Sequence, residues 1–222
     1  MLGEEGTLPL IRYELITLFL TSLPGALGLG LRKIFFPRLL AKVGKNVVFG
    51  RNVSIRHGKK IEIGDNVIID DNVLLDAKGV GNRGIRIGDN CMISRNSILS
   101  CKGGDIVFGQ HCALGINSLV HAVEGSNVEI GNDVVIGAYS YFIGGGTYNS
   151  DQLDVPFKQQ GAISRGGIKI ANNVWVGSQV QLLDGVSIGT GCIIGSGAVV
   201  TKSLAEYTIS AGVPAKVINT RQ

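Results

Sequence analysis

Ile170, Val176, Leu182, Ile188, Ile194 and Val200 follow one another at intervals of six without a slip. Two positions before the later members stand Val174, Val180, Val186, Cys192 and Ala198. Residues two apart in a strand point to the same side, so each six-residue unit drives one large and one smaller side chain inward. The unit recurs upstream as FGRNVSI from Phe49, IGDNVIIDDNVLL from Ile63, IGDNCMISRNSIL from Ile87, FGQHCALGINSLV from Phe108 and IGNDVVIGAYSYF from Ile130. A helix face would need apolar spacings of three and four. A period of six fits a coiled parallel sheet with short strands. Gly177, Gly189 and Gly195 sit just after the inward aliphatic, where a bend is expected and glycine tolerates its dihedrals. One such coil cannot offset its own ordering entropy, so neighbouring coils must stack and cover each other.

The interval from Ile63 to Ile87 is four sixes, but 87 to 108 and 108 to 130 are not multiples, so small loops are expected there. A larger excursion, about 144–168, interrupts the pattern altogether. Composition supports short strands with frequent turns: 33 Gly stand against 5 Pro, and 45% of residues are hydrophobic but only 6% aromatic. Collagen would need glycine at every third position, and disorder far fewer Ile and Val. Cys91, Cys101, Cys112 and Cys192 show no CxxC spacing. Three of them fall in repeat positions that favour small buried residues, and the set reads as reduced thiols.

The front end behaves differently. No charged residue occurs from Leu15 to Leu31, and Pro24, Gly25, Gly28 and Gly30 interrupt that run. Arg32, Lys33, Arg38, Lys42 and Lys45 follow. Two short helices are expected, about 9–22 and 25–41, hinged at Pro24. The chain thus divides into a helical segment at 1–42 and a coiled domain at 43–220. The helical segment is read as a pair of helices lying on the inner face of the cell membrane, or else as a cap over the open end of the coil or a subunit contact. Residues 1–60 hold ten Lys/Arg and three Asp/Glu, against eleven and fourteen in the remainder. Such a basic front end suits anionic lipid, and no nucleic-acid motif accompanies it. Without a small-residue cleavage site, and with Arg12 and Glu14 before the apolar run, a cytoplasmic location is expected, free or peripheral to the membrane.

The stretch NVWVGSQVQLLDGVSIGTGCIIGSGAVVTKSLAEYTISAGVPAKVI, from Asn173 to Ile218, resembles the CoA-binding end of the hexapeptide-repeat sugar O-acetyltransferases. That family includes the maltose and galactoside acetyltransferases and the enzymes that decorate O-antigen and capsule. Thr201-Lys202 and AGVPAKVI are the specific markers, and GGGTYNSDQLDVPFKQQG resembles the extended loop of the polysaccharide-decorating branch. The resemblance covers about 43–220. It implies a left-handed parallel β-helix with three faces and a homotrimer with sites between subunits. It also implies acetyl-CoA as co-substrate without a metal, and a sugar or glycan hydroxyl as acceptor in cell-surface polysaccharide biosynthesis.

Residue by residue, the resemblance assigns CoA contacts to Ser178, Ser196, Thr201, Lys202 and Lys216, the last near the CoA phosphates. Small side chains let the pantetheine arm lie against backbone, and lysine offers charge to phosphate. Asn117 matches a position that orients the acceptor or the acetyl group, and Trp175 reads as a packing residue near the groove. The family places a histidine in the loop after the glycine run, where this chain has Thr147, Tyr148 and Asn149. Neither an amide nor an unassisted phenol near 10 is a useful base at neutral pH. Of the three histidines, His57 and His111 read as structural. His121, placed on a short loop facing the 144–168 excursion, is the expected substitute base, with Tyr148 and Asn149 behind it. Asp151 and Asp154 would orient a base, bind sugar hydroxyls or simply make turns.

Three other readings are set against this one. A degenerate CoA-binding or scaffold protein of a glycan-assembly system would follow from loss of the base. N-acetylation of a nucleotide-linked amino sugar is expected to need a further nucleotide-binding domain, for which 1–42 has no room. A zinc carbonic anhydrase of the same fold needs three converging histidines, and separations of 54 and 10 residues do not supply them.

Overall fold

In the computed structural model, which describes residues 6–222, the six-residue period becomes seven stacked coils, each giving one short strand to each of three parallel sheets. Residues 1–5 of the expected helical segment lie outside the described residues. The first sheet runs from Lys42–Val43 to Ile188 in the strand Val186–Ile188. The second runs from Val48–Phe49 to Ile193–Ile194 and is extended by Thr208–Ala211 and Lys216–Thr220. The third runs from Ser54–Arg56 to Val199–Val200. This is the three-faced parallel β-helix that the resemblance implies, and the stacked coils of short strands fit the period of six.

The inward aliphatics line up in register. Val43, Ile63, Ile87, Phe108, Ile130, Ile170 and Ile188 form one continuous column through the first sheet. The smaller partners Val174, Val180, Val186, Cys192 and Ala198 are buried as well. A one-residue slip would turn every one of these side chains outward, so the pattern pins the pairing of neighbouring coils.

The glycine after the inward aliphatic has a different reason from the expected one. Gly177, Gly189 and Gly195 are not in the left-handed region; that conformation falls two positions later, at Asn66 (φ 57°), Asn90 (57°), Asn96 (60°) and Asn173 (56°), for example. Asparagine tolerates it, and the amides also stack as ladders, Asn46–Asn66–Asn90 at 3.1 Å and Asn52–Asn72–Asn96 at 3.0 Å. What glycine supplies is room. A Cβ on Gly177 would lie 2.6 Å from the Ser196 nitrogen, and one on Gly189 2.5 Å from that of Glu206.

Coil lengths vary through loops at one corner. The interval Ile63 to Ile87 is not four units but three strands, Ile61–Ile63, Ile68–Ile69 and Leu74–Lys78, followed by a bulge. Lys60 Nζ holds that bulge through Gly79 O (2.7 Å) and Asn82 Oδ1 (3.0 Å). The large excursion leaves after Tyr141–Gly144 and returns at Ile168–Ile170. It carries an antiparallel pair, Thr147–Tyr148 with Ala162–Ile163, and a helical turn Phe157–Gln160. Buried Asp184 ties its base down, accepting from Ser126 Oγ (3.2 Å), Arg165 N (2.7 Å) and Gly167 N (2.7 Å).

Helix α1 spans Thr7–Leu20 and α2 spans Gly25–Phe35, with a 3-10 turn at Phe36–Leu39. Pro24 precedes α2 as expected, but the second helix stops short of 41. Pro37 lacks the N–H that would continue it, and the chain tightens into the 3-10 turn. The pair closes the open end of the coil: Phe36, Leu39 and Leu40 are buried, and the Phe36 ring lies 5.5 Å from that of Phe49. Arg32, only 1% exposed, donates to Phe49 O (3.0 Å), Leu20 O (3.0 Å) and Leu23 O (2.7 Å). It thereby satisfies carbonyls that the end of α1 leaves without helical partners.

Candidate active site

The corner between the second and third sheets changes character along the stack. At its C-terminal half it reads Gly115-Ile116-Asn117, Gly137-Ala138-Tyr139, Gly177-Ser178-Gln179 and Gly195-Ser196-Gly197. The third member of each is left-handed, with φ from 55° at Asn117 to 74° at Gly197. Its nitrogen bonds back to the middle residue of the preceding coil: Tyr139 N to Ile116 O, Gln179 N to Ala138 O and Gly197 N to Ser178 O, each 2.8 Å. Ile116, Ala138, Ser178 and Ser196 therefore stack in one line, which carries only small side chains beyond Ile116. Ser196 Oγ accepts from Ser178 N at 3.2 Å. The result is a ledge of nearly bare backbone.

The other residues expected to hold CoA lie at the same end. Thr201 and Lys202 are exposed and follow directly on Val199–Val200. Lys216 is exposed at the start of the final strand. The tail carrying it folds against the last coil through Val199 N to Gly212 O (3.0 Å) and Ala215 N to Val199 O (2.8 Å). Trp175 faces outward from the second sheet and is 58% exposed, so it is not a core side chain. Chemically, such a ledge offers hydrogen-bonding backbone to an extended amide chain, and the two lysines offer charge to phosphate.

His121 does not sit on a loop. It occupies the middle of the strand Leu119–Val123 in the third sheet, in register with Ser100 on one side and Ile143 on the other. Val120 and Ala122 are fully buried, so strand alternation turns His121 to the outer face. Burial lowers its pKa below the usual 6.5 and the charge of Lys102 acts in the same sense, while a hydrogen bond with the Ser100 backbone opposes them. The ring is thus neutral at pH 7 and able to accept a proton. Its surroundings, the outward row Arg56, Asp76, Ser100, His121 and Ile143, escape sequence reasoning because they meet only through cross-coil register.

Asn117 lies on the same coil at the corner preceding that strand, its nitrogen bonded to Arg95 O at 3.1 Å. Asn149 is engaged within the excursion, with its nitrogen on Gly161 O (2.9 Å) and its amide on Gln160 O (3.1 Å). Tyr148 pairs opposite Ala162 and is half exposed. Asp151 is exposed, and Asp154 lines a cavity of about 410 Å³ formed by the excursion with Ser150, Leu153 and Gln160. His57 Nδ1 is 2.9 Å from Asp76 Oδ1, and His111 sits at the opposite corner with φ 58°. The three histidines do not converge. All four cysteines are buried and free, and burial, followed by Asp105 and Asp76, pushes the Cys101 thiol up to about 12.

A profile of the bacterial transferase hexapeptide (six repeats) matches residues 167–202, and one of the hexapeptide repeat of succinyl-transferase matches 41–77 and 106–141. Both profiles describe the hexapeptide repeat, and this chain carries that repeat. Among its relatives is a Mycobacterium tuberculosis protein described as an acetyltransferase, 34% identical over 119 residues, which are 54% of this chain and 38% of that protein. Another is the Escherichia coli protein WbbJ, described as a lipopolysaccharide biosynthesis O-acetyl transferase, 32% identical over 108 residues, 46% of this chain and 55% of the relative. The hexapeptide-repeat chain thus spans between about a third and just over half of the length of the curated relatives it matches. The Bacillus cereus N-acyltransferase AntD, solved with dTDP and coenzyme A, shares its fold with a TM-score of 0.60 at 22% identity, over 90% of this chain and 92% of that one.

Proposed function

We propose that this protein is a CoA-dependent acyltransferase that moves an acetyl group from acetyl-CoA to a sugar hydroxyl during assembly of a cell-surface polysaccharide. The observation that carries this reading is the backbone ledge at Ser178 and Ser196, with Thr201, Lys202 and Lys216 gathered at the same end. The acetyltransferase descriptions of its relatives, WbbJ among them, support the same chemistry.

His121 is the base. Its neutral ring takes the hydroxyl proton as the oxygen attacks the thioester carbonyl, and the tetrahedral adduct collapses with loss of the CoA thiolate, which takes the proton back. Asn117 orients the acceptor or the acetyl group. The reaction needs no metal, because the thioester is already activated. The protein works in the cytoplasm, where acetyl-CoA is made, and as a homotrimer whose subunit seams hold the donor.

A second reading is a catalytically silent CoA-binding scaffold. It is favoured by the loop after the glycine run, where the family carries its histidine and this chain has Thr147, Tyr148 and Asn149, the last already bonded to Gln160. Acyl transfer to a nucleotide-linked amino sugar also stays open. It is supported, without a further domain, by AntD, an N-acyltransferase solved with dTDP that is matched over 92% of its length.

Calorimetry with acetyl-CoA, paired with release of free CoA thiol across a panel of glycan and amino-sugar acceptors, separates the three. Binding with turnover that His121→Ala abolishes supports O-acetyl transfer if hydroxyl acceptors respond. Response by amino acceptors alone selects N-acyl transfer. Binding without turnover selects the scaffold, and absence of CoA binding overturns the enzyme reading.

A further inference from the structure

The inner stripe of α1 is accounted for by the cap: Ile16 is buried, Tyr13 and Leu20 pack on the core, and the Tyr13 hydroxyl donates to Ile55 O at 3.0 Å. The helix carries a second apolar stripe at the same helical spacing. Leu8, Ile11, Leu15 and Leu18 are 80%, 54%, 53% and 71% exposed, and Phe19 continues them. On α2, Leu27 and Ile34 are 68% and 57% exposed. An open cleft of about 460 Å³ runs between the helices, with Leu8, Ile11, Leu15 and Phe35 as its lining and Arg12 and Arg38 among them. Residues 1–60 hold ten Lys/Arg against Glu4, Glu5 and Glu14.

The chemistry of this surface selects its occupant. It offers aliphatic and aromatic carbon with guanidinium groups beside it and almost no hydrogen-bonding specificity, and the carbon extends over both helices rather than converging on a pocket. A second copy of the chain would set the same patch against itself, bringing Arg12 and Arg38 towards their own equivalents. A bilayer with anionic headgroups meets both needs at once, carbon against acyl chains and guanidinium against phosphate. At 14 residues α1 is about 21 Å long, and no helix among the described residues is long and apolar enough to cross a membrane. We infer that α1 and α2, with Arg12 and Arg38, form a docking surface for an anionic lipid bilayer, on which the helices lie flat. One element then closes the coil with its inner stripe and holds the protein at a membrane with its outer one.

Vesicle flotation of the full chain tests this. The probes are vesicles of phosphatidylcholine alone and of phosphatidylcholine with about a quarter phosphatidylglycerol. Expected is binding to the anionic vesicles that is about tenfold or more weaker on the neutral ones. Arg12→Glu with Arg38→Glu, and separately Leu15→Gln, should each weaken it about tenfold. Both sets lie at exposed positions, so unchanged thermal unfolding certifies the fold. Absence of flotation, or flotation that neither change affects, overturns the proposal. A change of oligomer size in Leu15→Gln without lipid gives the face to a second copy and overturns it as well. Because CoA binding is read separately on the same variants, this outcome stands or falls apart from the acyltransferase reading.

Discussion

At His121 burial and the neighbouring cation act in one direction, and the consequence is a pH profile. A base with a lowered pKa is ready at pH 7 and loses activity only as the pH falls through that lowered value, below 6.5. Lys102→Gln removes the second cause, so the acid limb of kcat/KM should move up towards 6.5 while the plateau changes little. His121→Ala should cut kcat by about 10²–10⁴-fold; a loss below tenfold would take the role of base from this residue. The glycines make a steric prediction at the same scale. Gly137 has no positive φ, yet a Cβ there would lie 2.4 Å from the Ser178 nitrogen. Gly137→Ala should destabilise the fold by about 1–3 kcal/mol in denaturant titration, because backbone cannot step aside as a flexible side chain would. That glycine marks the bend was legible in the repeat. That it serves the next coil was not, since Ser178 is brought there only by the winding.

Among the elements, the strands were read most directly, because two buried positions per six residues leave little freedom of register. The helices were legible from Pro24 and the uncharged run, but their ends were displaced where Pro37 cuts in. His121 was misplaced for a related reason. The strands of the third sheet lengthen to five residues in the middle coils, as in Leu74–Lys78, Ile98–Lys102 and Leu119–Val123. A fixed unit with two-residue strands ends before His121 and leaves it on a loop. Arg32 was visible only as one more basic residue. Burial lowers its pKa, with Asp71 opposing, and its guanidinium spans two helix-end carbonyls and the first coil. Arg32→Met should cost about 2–4 kcal/mol by leaving three acceptors short of a partner. Arg32→Lys should recover only part of it, because one ammonium cannot reproduce the planar fork. Thermal unfolding of the two variants measures this; equal stability with the parent would show that water reaches those carbonyls.

Across the whole molecule the three faces differ in ways that a single coil does not reveal. The outward row of the first sheet is charged, with Glu62, Arg86, Glu129 and Lys169 in register. That of the second is apolar: Val48, Ile68, Met92, Val135 and Trp175 are between 39% and 58% exposed. A prism with one wet face and one apolar face along its length is suited to lateral association, and the ledge at Ser178 and Ser196 runs along an edge of that apolar face. The homotrimer proposed here would turn this face towards the neighbouring subunit and wall in the ledge. Val135→Asp places a carboxylate at the middle of the row without touching the core, since strand alternation keeps Ile136 as the inward residue. It should leave the circular dichroism unchanged, convert the trimer to monomer in sedimentation equilibrium, and weaken acetyl-CoA binding at least about tenfold by removing one wall of the donor site. Lys169→Asp, the matching change on the charged face, should do neither. A Val135→Asp protein that stays assembled and binds the donor normally would place the seam on another face, and with it the side from which the pantetheine arm is held.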